Sequence, residues 1–180
     1  MSVAYFAIGD AETVIIVEHD DRDHDRDGAP PNDRYVLPRG MVNVTDAHIS
    51  ADPPLPEQLT NAIGDMQDHL DDALREVPAL ATVERVVVSG AGPQAIAAVE
   101  FGGTPTDDEF VLTRDAAEDV FRTLATESTP DRRRNPGLPA DLVGVIVGGC
   151  CALVAIFRSL HLDQAVIDTR GVAHAGGSGR

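Results

Sequence analysis

The sequence predicts an α/β domain with a mixed sheet of about five strands flanked by helices, and two observations carry that prediction. Three short β-rich runs open the chain as a meander, Val3 to Ile8, Thr13 to Val17 and Arg34 to Leu37. In the middle, the β-branched run Val86 to Val88 enters the tight turn Ser89-Gly90-Ala91-Gly92. Pro93 then suits the first turn of a helix, where its missing N–H would go unpaired anyway.

The first two runs are separated by Gly9-Asp10-Ala11-Glu12, which reads as a hairpin turn. The second and third are joined by an acidic stretch over 18–33, and Pro38-Arg39-Gly40 ends the meander. In that stretch His19 and His24, with nearby aspartates, could ligate a metal; the plainer reading is a solvated loop. Ala51-Asp-Pro-Pro-Leu-Pro56 breaks the chain and starts a helix. Leu59, Ile63, Met66, Leu70, Leu74 and Val77 recur at spacings of three and four and mark its buried face.

After the central strand, Ile96, Ala97 and Val99 to Phe101 make one side of the next helix apolar, and Gly103 to Glu109 is a polar link. Thr113 is a good helix N-cap with Asp115 at the positive helix end, and Ala117, Val120, Phe121 and Leu124 supply the buried face. Thr129 to Leu138 is a loop carrying the basic cluster Arg132 to Arg134. Arg132 is a candidate anion contact there, with an exposed charge-balancing loop as the alternative. An apolar helix from about Asp141 to Leu160 leads to a last strand, Ala165 to Ile167. Residues 1–174 thus form a single domain, and 175–180, rich in glycine, read as a disordered tail.

The totals bound the function. A chain of 180 residues is one domain, enough to bury about 70% of the surface it exposes unfolded. Its formal charge of −16 argues against nucleic-acid binding, which needs cations to neutralise phosphates. Every cation is an arginine and Asp far outnumbers Glu, which suggests a salt-adapted cytoplasm, although a GC-rich genome would also replace lysine. Cys150 and Cys151 are adjacent in an apolar run, without metal-ligand spacing, and read as buried reduced thiols of a cytoplasmic protein. Leu142 to Phe157 is uncharged and contains Gly144-x-x-x-Gly148, yet it falls short of a spanning helix, so it reads as a core helix and no membrane is expected.

Strand, glycine turn and helix N-terminus is the geometry in which bare backbone N–H groups point at an anion, though an ordinary βα turn has the same letters. Several phrases, in order, resemble the second domain of the exopolyphosphatase/guanosine-pentaphosphate phosphatase (Ppx/GppA) family. Ala7-Ile8-Gly9-Asp10-Ala11-Glu12-Thr13-Val14 matches the family's phosphate loop Asp-Ile-Gly-Gly-Gly-Ser-Thr-Glu, and Val88-Ser89-Gly90-Ala91-Gly92 its Gly-Thr-Gly-Gly-Thr loop. Val36-Leu37-Pro38-Arg39-Gly40, Val44-Thr45, Asp52-Pro53-Pro54, Asp131-Arg132, Pro136-Gly137-Leu138 and Val145-Ile146-Val147-Gly148-Gly149 match further phrases, over about residues 3 to 174.

The resemblance implies an actin-like ATPase (ribonuclease H-like) fold and, for Gly9, Thr13, Ser89, Gly90 and Gly92, phosphate binding with Mg²⁺ where that binding is retained. It also implies polyphosphate or a guanine nucleotide as ligand. The departures fall on the chemistry. Ala7 and Val14 stand where the family has its loop acids, and Asp10 stands where a glycine lets phosphate approach. Leu142-Val143-Gly144 replaces Arg-Ala-Asp, and Ala173-His174 replaces Arg-Glu. The family's first domain, with its catalytic Glu, has no counterpart in these residues. The expectation is therefore a degenerate, non-catalytic domain acting as a protein-interaction or phosphate-binding module, possessing no catalytic residue or metal site of its own. Its partner would be another protein chain or a second copy of itself, as a homodimer. The alternative is a phosphohydrolase half that completes its site with a separately encoded first domain.

Overall fold

In the computed structural model, residues 1–19 and 33–170 are described. His24, most of the acidic stretch and the 175–180 tail lie outside them. The chain runs β1 (Val3–Ile8), β2 (Thr13–Glu18), β3 (Asp33–Leu37), α1 (Met41–His48), α2 (Pro56–Glu76), β4 (Arg85–Ser89) and α3 (Ala91–Phe101). It continues through β5 (Glu109–Thr113), α4 (Arg114–Thr126), α5 (Thr129–Arg132), α6 (Ile146–Ser159) and β6 (Gln164–Asp168). The sheet has six strands in the order β3-β2-β1-β4-β6-β5. The pairs β1–β4 and β4–β6 are parallel, and the other three pairs are antiparallel.

Two elements depart from the sequence reading. The expected five strands become six because Glu109–Thr113 pairs antiparallel with β6 as an edge strand. Three apolar residues, Phe110 to Leu112, are too short a signal without that distant partner. Met41–His48 is a helix that the pattern conceals: Val42, Val44 and Thr45 are β-branched and it buries only Met41, Val44 and Thr45. Its start is nonetheless written locally, since the Gly40 N–H donates to Asn43 Oδ1 at 2.7 Å.

Elsewhere the pattern holds. Ile63, Met66 and Leu70 are buried along α2, Thr113 Oγ1 caps α4 by accepting the Ala116 N–H, and Ala117, Val120, Phe121 and Leu124 face inward. Helix α6 is buried on every side from Ile146 to Phe157 and packs against α1, α2, α3 and α4. It begins later than expected, because Ala140–Leu142 is a separate 3₁₀ turn. Gly144 and Gly148 therefore do not act as a pair. Nothing lies within 4 Å of a Cβ at Gly144, whereas Gly148 is pressed against α1. Cys150 and Cys151 are free and buried, and burial pushes the Cys151 thiol up to about 12. Among the described residues no helix is long and apolar enough to cross a membrane.

Candidate functional site

The hairpin turn between β1 and β2 and the turn between β4 and α3 meet at one end of the sheet, because β1 and β4 are parallel neighbours, with Ala7 opposite Ser89. Between them lies an open cavity of about 360 Å³ lined by both turns and by Met41 at the start of α1. The structure thus brings Gly9, Ser89 and Gly90 to one place. The β4–α3 turn depends on glycine in the way the sequence suggests. Gly90 has φ +123°, and a Cβ there would stand 2.2 Å from the Ile8 carbonyl oxygen.

Most of the groups around that cavity that could bind an anion are engaged within the protein itself. Thr13 is fully buried, and its hydroxyl donates to the Arg39 carbonyl at 2.8 Å. The Gly9 N–H donates to the Glu12 carbonyl, closing the hairpin turn. The N–H groups of Met41, Val42 and Asn43, which would be the anion-seeking end of α1, go instead to the carbonyls of Gly9 and Asp10. Asn43 Nδ2 fastens the turn further by donating to the Ala11 carbonyl. Gly92 is buried against the Met41 sulfur, where a Cβ would approach to 3.0 Å. Ser89 and Gly90, with the exposed Ala91 at the mouth of α3, are what remains facing the cavity.

Among the described residues, the cavity lining includes the acidic Asp10 and Glu12 and no arginine. An entering phosphate would meet like charge where it needs donors or cations. Mg²⁺ takes carboxylate oxygens in octahedral geometry. Asp10 and Glu12 are of the right type, but among the described residues no group of three or more His, Cys, Asp or Glu side chains is placed to hold an ion. The residues present do not fit a resident metal. His19 pairs with Asp33 at 3.4 Å instead.

Arg132 takes a role other than the expected anion contact. Its guanidinium is buried and donates to the carbonyls of Leu124 at 2.8 Å, Glu127 at 3.2 Å and Val143 at 3.2 Å. Its remaining nitrogen reaches Asp52 Oδ1 at 3.0 Å. The anion it serves is a carboxylate of its own chain. Neighbouring Arg133 and Arg134 are exposed.

A second charged cluster lies nearby and was not foreseen. Asp65 on α2 accepts from Arg39 Nε at 2.6 Å and meets His48 Nε2 at 2.8 Å and His69 Nε2 at 3.5 Å. Burial pushes the Asp65 carboxyl up, but the Arg39 and His48 hydrogen bonds outweigh it and hold it below its ordinary value. The only local signal for this cluster is the Asp65/His69 spacing of four residues on a helix. Arg39 and His48 come from the preceding loop and helix, so the cluster ties the end of the meander to α2.

No family model matches the chain, and no curated protein matches it by sequence. Solved structures do. An exopolyphosphatase-like protein is similar with a TM-score of 0.83 at 18% identity, over 92% of this chain and 55% of that one. The PPX-GPPA enzyme of Aquifex aeolicus gives 0.78 at 20% identity, over 93% and 53%. An exopolyphosphatase from Cytophaga hutchinsonii gives 0.69 at 11% identity, over 93% and 53%. The chain spans about half the length of these proteins. The likeness shows the fold alone, a mixed sheet flanked by helices of the actin-like type.

Proposed function

We propose that this domain is a non-catalytic interaction module on a Ppx/GppA-like fold, binding another protein chain in place of a phosphate chain. The observation that carries the reading is the state of the two-turn cavity. Among the described residues its lining includes Asp10 and Glu12 and no arginine, and the Thr13 hydroxyl and Gly9 N–H are engaged within the protein. Phosphoanhydride hydrolysis needs positive charge on the transferring phosphoryl group and a residue to orient the water. Neither is supplied by these side chains. The purified protein, incubated with polyphosphate or guanosine pentaphosphate and Mg²⁺ in multimolar KCl, is expected to release no phosphate above a buffer control. Release that disappears when Gly90 is replaced would contradict the proposal.

One observation favours a second reading. The β4–α3 turn keeps its glycine geometry and leaves Ser89, Gly90 and Ala91 lining the cavity. A separately encoded first domain could bring the missing cations and the water-activating carboxylate to that turn. Phosphate release that appears only on mixing the two chains would favour this half-site reading.

A further inference from the structure

The sheet has two faces, and the described helices occupy one of them. On that side Ala4, Phe6, Ile8, Ile15, Val17, Val86, Val88, Leu112, Ala165 and Ile167 are all buried. The alternate residues face the other way. Tyr5 on the central strand β1 is 38% exposed, Val36 on β3 is 36% exposed and Val111 on β5 is 54% exposed. Val14, Ile16 and Val166 are partly exposed on the same side. The topology explains the asymmetry. Helices α1 and α2 connect β3 to β4, which run parallel, and the chain moves on in the same direction across the sheet from β4 to β6, again parallel. Right-handed crossovers then put the intervening helices on a single face. Parallel strands are ordinarily covered on both.

The bare face is not uniform. Its apolar side chains concentrate on the meander. Register places Ile16 between Tyr5 and Arg34, and Val14 between Ala7 and Val36. The far half is crossed by an ion pair. Arg85 on β4 reaches Glu109 on β5, with β6 between them, at 2.8 Å. On the meander half, Arg34 is exposed and pairs with no described carboxylate, while the exposed Glu18, opposite Val3, lies on the same face.

We propose that this meander face binds a second copy of the chain, sheet on sheet, about a two-fold axis running along β2. The proposal deepens the interaction role argued above by naming its partner. Such an axis sets Val14 and Ile16 against their own symmetry mates and Val36 over Ala7 of the other copy. It sets Arg34 over the Tyr5 ring and beside Glu18 of the other copy, a cation–π contact next to an ion pair. The apolar centre and the charged flank are therefore complementary to themselves, as an isologous contact requires. The chain's charge of −16 opposes the association wherever salt does not screen it.

Sedimentation equilibrium of the full chain tests this. A dimer is expected in multimolar KCl at tens of micromolar, dissociating as the salt is lowered. Val36→Asp, which changes an exposed side chain, is expected to abolish it, and Arg34→Glu to weaken it roughly tenfold or more. Val111→Asp, on the bare face but outside the proposed contact, is expected to leave the dimer intact. Circular dichroism in the same salt checks that each variant is folded. A chain that stays monomeric at hundreds of micromolar in multimolar KCl overturns the proposal, and so does a dimer that survives Val36→Asp or is lost with Val111→Asp. The oligomeric state is read without any phosphate ligand. A monomer that also releases no phosphate would therefore sink the dimer alone and leave the non-catalytic reading standing.

Discussion

Replacing Arg132 by methionine is expected to lower the stability of the fold by about 3 kcal/mol, read as a fall in the urea midpoint at constant slope. The loss does not come from a surface ion pair. The guanidinium is the shared donor for the carbonyls of Leu124, Glu127 and Val143, which come from the end of α4 and from the loops before α5 and α6. Methionine keeps the bulk of the stem and leaves those carbonyls without their partner. Asp52 adds a pH signature. Its carboxyl lies below the usual range, chiefly because it accepts the Thr129 N–H, with Arg132 contributing. A lowered carboxyl stabilises the fold above its unfolded pKa and loses that contribution as pH falls through the folded value. The acid side of the stability profile should therefore be shallower in Arg132→Met than in the parent.

The second large effect is expected at Gly148. A Cβ there would stand 2.1 Å from Thr45 Oγ1 and 2.6 Å from the Met41 carbonyl oxygen. The hydroxyl is itself fixed, donating to the Met41 carbonyl at 2.8 Å. Neither atom is the free end of a flexible side chain, so α1 and α6 must part. Gly148→Val is expected to cost about 3 kcal/mol or to prevent folding, as overpacking between rigid elements does. Gly64 provides the opposite sign in the same fold. It lies inside α2 with nothing within 4 Å of a Cβ. Gly64→Ala should raise stability by about 1 kcal/mol through helix propensity alone. Parallel urea titrations of the two variants check both directions.

The scaffold was legible because its requirements are local or strongly periodic. Gly90 in a βα turn, the α2 stripe from Leu59 to Val77 and the uncharged α6 each declare themselves within a few residues. Two phrases that carried the family resemblance, Asp52-Pro-Pro and Asp131-Arg132, turn out to meet in space through the Asp52–Arg132 pair. That resemblance therefore marked architecture. The fate of the site was not legible. Whether the Thr13 hydroxyl faces a ligand depends on the Arg39 carbonyl, 26 residues away, and no spacing rule announces it. The same holds for the first N–H groups of α1, which the hairpin carbonyls occupy only because β1 and β2 deliver that turn to the helix. Arg132 misled for a related reason. A run of three arginines looks exposed, and its first member is buried only because α4, α5 and the loop before α6 close around it.

Calorimetric titration of the protein with polyphosphate, ATP and guanosine polyphosphates, in multimolar KCl with Mg²⁺, tests the central claim most directly. On the proposed reading no heat of binding is expected from any of them, because Asp10 and Glu12 line the cavity and the Thr13 hydroxyl and Gly9 N–H are engaged within the protein. Micromolar binding by one of them, lost when Gly90 is replaced, would contradict the account.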